Sequence, residues 1–214
     1  MNAPPKKTRG KQKRGELTKV SLIRAAMKAV QADSIFGLRF SQVARIAGVP
    51  QPLVDYHFKD LETLLLAMVT YGIMQLKEAQ TVALEKNSTD PRKAFEAYMR
   101  VPFELAQSDP EYRAVWTSYS HLASTHKAIA ELHKSIRTAG VERITLMLQA
   151  ILLTERRSAG TPGVTTNQVA NAIQGLLTGC ASLALPDGGD YKRMADIAIA
   201  ASYQLIEMNF PRAT

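Results

Sequence analysis

The chain has 214 residues, of which 46 % are hydrophobic and 21 % charged, ordinary values for a globular protein with a sizeable core. Its net charge of +8 is concentrated at one end: residues 1–60 hold 12 Lys and Arg against 4 acids, whereas the remaining 154 hold 15 against 15. The single Cys180 excludes an internal disulfide and fits a reducing, cytoplasmic compartment, and no apolar run follows the basic N-terminus as a secretory signal would require.

Residues 1–15 carry Lys6, Lys7, Arg9, Lys11, Lys13 and Arg14 with no acid, two prolines and two glycines, which reads as a disordered basic arm. From Glu16 the apolar residues Val20, Ile23, Met27 and Val30 recur at helical spacing and predict a helix ending near Asp33. Gly37 interrupts the pattern, a second short helix is expected over 40–47, and a third over 51–58. Together these make a compact unit over 16–60, with its excess positive charge disposed toward a polyanion.

Asp60 is placed to cap a fourth helix, over 61–86, in which Gly72 is a candidate flex point. Further helical patterns follow at 91–107, 111–124, 126–156, 165–185 and 190–209, punctuated by turn segments such as "NSTDP" and "QSDPEY". No segment alternates with period two, so the chain is expected to be all-α. It would consist of a three-helix N-terminal domain and a larger helical domain over 61–214.

The stretch "VARIAGVPQPLVDYHFKDLETL", residues 43–64, has the physical marks of a helix-turn-helix. Val43, Ala44 and Ala47 are small enough for close helix approach. Gly48 suits a left-handed turn, and Val49, Val54 and Phe58 fit as inward anchors. Pro50 and Pro52 fall where a helix's first N–H groups have no intrahelical acceptor, so they cost little there. Over residues 17–70 the sequence resembles the TetR (tetracycline repressor) family of transcriptional regulators: the Ala-Gly-Val turn, the closing "YHF" and the helix start after it agree in spacing.

The resemblance implies DNA contacts from Ser41 and Gln42 on the second helix and from Gln51, Pro52, Leu53, Tyr56 and His57 on the third. Lys59 and the basic arm would meet phosphates. Gln51 suits an adenine edge, Pro52 and Leu53 a thymine methyl, and Tyr56, His57 and Lys59 phosphate oxygens. The sequence departs from the family pattern at three positions: Asp55 replaces a phosphate-contacting Tyr, Leu61 a Lys, and Arg39 a capping Ser or Thr.

In the larger domain most aromatics are expected in the core, but the resemblance implies an effector pocket, with Phe103, Trp116 and Tyr119 as lining candidates. His121, His126 and His133 lack metal-ligand spacing, and no nucleophile–base pair or phosphate loop is recognisable, so neither a metal, a cofactor nor catalysis is expected. The uncharged run from Ala159 to Pro186 is too polar at its start for a membrane span. Its small residues Ala172, Gly175, Gly179 and Ser182 instead form a stripe that allows close helix approach. With Ile197, Ala201 and Leu205 on the last helix, this suggests a four-helix homodimer interface, as is usual in the family.

These readings converge on an effector-released repressor that binds a palindromic double-stranded operator as a homodimer. The alternative is an architectural or nonspecific DNA-binding protein without effector control.

Overall fold

The computed structural model describes residues 7–157, 161–184 and 189–212, with side chains from residue 15 onward. Among the described residues the fold is all-α: α1 (Lys7–Asp33), a short 3-10 turn (Ile35–Gly37), α2 (Phe40–Ala47), α3 (Gln51–His57), α4 (Leu61–Lys86), α5 (Pro91–Ser108), α6 (Pro110–Thr125), α7 (Lys127–Thr154), α8 (Thr166–Ala184) and α9 (Tyr191–Asn209). The only extended pairing among them is an isolated bridge between Arg157 and Arg212.

One element starts earlier than the composition suggests. Helix α1 begins at Lys7, so residues 7–15 are helical and not a disordered arm. Lys, Arg and Gln are good helix formers, and the segment after Pro5 has no residue that forbids continuation of the helix behind it. The buried face of α1 also differs slightly from expectation. Ile23, Met27 and Val30 are buried together with Leu22 and Ala26, whereas Val20 is exposed.

Caps define the later helices. Asp60 accepts hydrogen bonds from the Thr63 N–H at 2.8 Å and the Thr63 hydroxyl at 2.7 Å. Asp90, Asp109 and Asp190 cap α5, α6 and α9 in the same way, each accepting first-turn N–H groups that lack intrahelical partners. Each of the first two is followed by a proline at the helix start, where it costs no hydrogen bond.

The core is continuous from the N-terminal unit into the larger domain. Helix α1 packs on α2, α4 and also α6, while α4 packs on α5 and α6. Helices α7, α8 and α9 follow in neighbouring layers, with α5 between α7 and α9. Gly72 lies inside an unbroken α4 facing the Tyr112 ring of α6; a Cβ in its place would stand at an ordinary contact distance of 3.6 Å. No helix among the described residues is long and apolar enough to cross a membrane.

Candidate functional site

Two regions of the molecule carry the chemistry. The first is the surface of α2 and α3. Gly48 closes α2 in the left-handed conformation, φ 67° and ψ 34°, and its N–H and that of Val49 return to the carbonyls of Arg45 and Ala44. Pro50 stands as the N-cap of α3 and Pro52 lies in its first turn. Arg39, at the N-cap of α2, makes no side-chain cap bond, as its replacement of a hydroxyl residue implies.

Val43, Val54 and Phe58 are wholly buried beneath this surface, and each is worth about 2 kcal/mol as an anchor against the core. Val49 packs partly buried against the same cluster, and the Lys19 ammonium lies 5.8 Å from the Phe58 ring centre. Held from below in this way, α3 turns Gln51, Pro52, Asp55 and Tyr56 outward, with Lys59 just past its end. Tyr56 is 82 % exposed and meets His57 edge to face at 5.3 Å.

Ser41 is exposed, while Gln42, Leu53 and His57 are half-buried. Of the expected arm contacts, Lys6 lies outside the described residues. Lys7, Arg9, Lys11, Lys13 and Arg14 lie on the α1 backbone, but their side chains are outside the described ones. Asp55 belongs to the exposed face, and no basic group among the described residues pairs with it; the ion-paired acids are Asp90, Glu155, Asp196 and Glu207.

The second region is a cavity of about 740 Å³ bounded by α4, α5, α6, α7 and α8, within the size range of small-molecule sites. Trp116 and Tyr119 line it. Phe103 does not: it is 2 % exposed and belongs to the core, because its neighbour Pro102, one position back on α5, presents to the cavity instead. Tyr112, Trp116 and Tyr119 stack along α6, with Trp116 4.6 Å from Tyr119 at 6° and 5.6 Å from Tyr112 at 30°. The ladder continues to His133 on α7, 5.1 Å from Tyr119.

Burial pushes the Tyr119 hydroxyl up to about 12. It raises Tyr98 as well, although the nearby Arg143 and a hydrogen bond with Gln80 pull Tyr98 the other way. The Tyr119 hydroxyl, His133 Nδ1 and Gln174 Oε1 are buried and have no hydrogen-bond partner among the described residues. Buried polar atoms are normally satisfied, so three orphans around one cavity mark groups available to something inside it. Gly140 makes room for one of them, since a Cβ there would stand 2.5 Å from Gln174 Oε1.

Ala172, Gly175, Gly179 and Ser182 are exposed in the single chain, but the last three also border the cavity. On α9 Ile197 is exposed and Ala201 and Leu205 are half-buried. Among the described residues no group of three or more His, Cys, Asp or Glu could hold a metal ion. Sequence reasoning missed the cavity's basic residues, Lys77, Arg137 and Arg143, because charged residues on a helix read as solvated unless the tertiary fold is known.

A helix-turn-helix head on a larger helical body is an architecture the chain shares with solved transcriptional regulators. The chain has the fold of the TetR family. It superposes on the TetR transcription regulator from Haloarcula marismortui with a TM-score of 0.77 at 12 % identity, over 91 % of this chain and 99 % of that one. On the multidrug binding protein EbrR complexed with imidazole the TM-score is 0.63 at 21 % identity, over 92 % and 96 %.

In sequence it is 29 % identical over 112 residues to the HTH-type transcriptional regulator BetI of Rhizobium meliloti strain 1021, covering 52 % of this chain and 55 % of that protein. The chain thus spans about half the length of the curated relatives it matches. No family model matches it. The BetI and Haloarcula proteins are named as regulators of transcription, not as enzymes.

Proposed function

We propose that the chain is a cytoplasmic DNA-binding transcriptional regulator, a repressor that binds a palindromic operator as a homodimer and is released by a small-molecule effector. The observation that carries this reading is the outward face of α3, where Gln51, Pro52 and Tyr56, with Lys59 just past the helix end, are held from below by Val54 and Phe58. A rigid helix of this kind enters the major groove with its first residues at the base edges. Gln51 then reads an adenine, Pro52 and Leu53 touch a thymine methyl, and Tyr56, His57 and Lys59 hold phosphates. Ser41 and Gln42 reach the backbone from α2, and the basic start of α1 adds counterion release.

Exposed Leu183, Ile197 and Met208 on α8 and α9 support the homodimer, because a second copy would cover them. Two copies would present their α3 helices to half-sites about 34 Å apart. Effector control is supported by the cavity and its unpartnered polar atoms. Helix α6 carries Trp116 and Tyr119 on the cavity wall and packs on α1, so a ligand that favours one position of α6 acts directly on the head. Such a ligand works only by binding the two states with different affinity.

The test is a salt titration of binding to DNA upstream of the protein's own gene against random DNA of equal length. A regulator gives a specificity ratio of about 10³ or more at physiological salt. A ratio near one would mean sequence-independent binding and would remove the operator from the reading.

A further inference from the structure

The charges around the cavity are of one sign. Lys77 on α4 and Arg137 and Arg143 on α7 line it, and no Asp or Glu does. None of the three cations takes part in an ion pair among the described residues, where every such pair belongs to other side chains. Arg143 and Tyr98 both line the cavity, and the Arg143 charge opposes the upward push that burial gives the Tyr98 hydroxyl.

The aromatic wall has a matching polarity. An aromatic ring is negative on its face and positive at its edge, and cages for quaternary ammonium ions work by turning several faces toward the cation. Here Trp116 is sandwiched between Tyr112 and Tyr119 along α6, so its faces are occupied and its edge is left for the cavity. The Tyr119 hydroxyl adds an O–H donor without a partner among the described residues. Three unpaired cations, ring edges and a free donor favour negative charge, while Ile73, Leu76, Pro102 and Ile136 provide an apolar lining beside them.

We propose that the cavity takes an amphiphilic organic anion, with its carboxylate or equivalent acid group held by Arg137, Arg143 and Lys77 and its apolar body lying against Trp116 and Tyr119. This rests on the effector reading above, but it concerns ligand binding alone and is tested without DNA. The acid group gains charge-assisted hydrogen bonds from guanidinium groups that have no carboxylate to give up. The apolar body replaces water in the aromatic part of the cavity. The body can be an aromatic ring or an alkyl chain, and the same experiment separates the two.

Trp116 is the only tryptophan of the chain, so its fluorescence reports occupancy of this cavity directly. The full chain is titrated with two charge-matched pairs: decanoate against decyltrimethylammonium, and 4-phenylbutyrate against 4-phenylbutylammonium. At least one anion binds about tenfold or more tighter than its paired cation, and the pair with the tighter anion identifies the body as alkyl or aromatic. The double variant Arg137→Gln/Arg143→Gln, with both positions exposed, keeps its helical circular dichroism and loses about tenfold in anion affinity. Cations that bind as tightly as the anions, no binding by either anion, or an anion affinity unchanged in the double variant would each overturn the proposal. An anion that binds without altering operator affinity leaves this inference standing and removes effector control instead.

Discussion

The Phe36 ring meets the His121 ring edge to face, with centroids 5.0 Å apart and planes at 64°. Phe36 sits in the 3-10 turn that joins α1 to α2, and His121 lies on α6 one residue beyond the cavity-lining Ser120. The contact therefore joins the head to the helix that bears the cavity wall. Phe36 is otherwise 78 % exposed, so little of the core depends on it.

Replacing Phe36 by Ala should leave stability within about 1 kcal/mol and operator affinity nearly unchanged, while the effector-induced change in operator affinity shrinks about threefold. Operator titrations with and without a bound ligand measure this. An unchanged ratio would mean that coupling runs only through the wider α1–α6 and α1–α4 contacts.

Asp55 stands on the exposed side of α3, the face proposed to meet DNA, with no cationic partner among the described residues. Facing phosphates, an uncompensated carboxylate opposes binding by about 1 kcal/mol, and a tyrosine there adds a phosphate donor. Asp55→Tyr should therefore tighten operator binding roughly fivefold. Asp55→Asn should recover most of that gain, because it removes the charge without adding the ring. Weaker binding in both variants would show that the carboxylate accepts a hydrogen bond from the DNA, most simply a cytosine amino group.

The course of the chain was largely legible because each boundary has a local chemical cause. Gly48 takes the left-handed turn, Asp60 caps α4, and paired Asp-Pro steps open α5 and α6. The start of α1 was not legible: composition separates a charged arm from a charged helix poorly, since Lys, Arg and Gln are common to both. In the cavity, Trp116 and Tyr119 followed from residue type, but Phe103 was misassigned. A one-position rotation on α5 exchanges Phe103 for Pro102, and periodicity cannot resolve such a step. That Lys77, Arg137 and Arg143 line one cavity depends on how α4 and α7 pack, which no local pattern encodes.

A second linkage lies at the far end of the larger domain. The Glu155 carboxylate, just past α7, accepts hydrogen bonds from Arg92 on α5, including Nη2 at 3.0 Å, and from Arg157 Nε at 2.7 Å. The Arg157 side chain is 2 % exposed and also donates to the Phe210 carbonyl at 2.9 Å. The Arg92 hydrogen bonds, with those of Arg157, hold the Glu155 carboxyl at about 2, below its ordinary 4.5. Since the folded value lies below the unfolded one, the stabilisation is complete above about 4.5 and is lost as pH falls toward 2. Glu155→Gln should cost about 3 kcal/mol near neutral pH, because the stabilisation tied to the lowered carboxyl is lost and the buried Arg157 keeps only the longer Glu207 contact and the Phe210 carbonyl. Urea unfolding of both proteins across this interval should show the difference shrinking as the solution is acidified. A difference independent of pH would mean that Glu155 contributes shape and not charge.

The proposed homodimer makes a separable demand on α8 and α9. Ile197 and Met208 are 46 % and 74 % exposed in the single chain, and neither is needed to close its core. A charge at either position is therefore tolerated by the isolated subunit but becomes costly once buried against a partner, by several kcal/mol when left unpaired. The double variant Ile197→Glu/Met208→Glu should sediment as a folded monomer with unchanged helical content, while the wild type sediments as a dimer. Operator affinity should fall at least a hundredfold, because a single α3 reads only one half-site and the gain from linking two is lost. If the variant remains dimeric, the interface uses another face, and the exposed Leu146 and Leu153 on α7 become the next positions to charge.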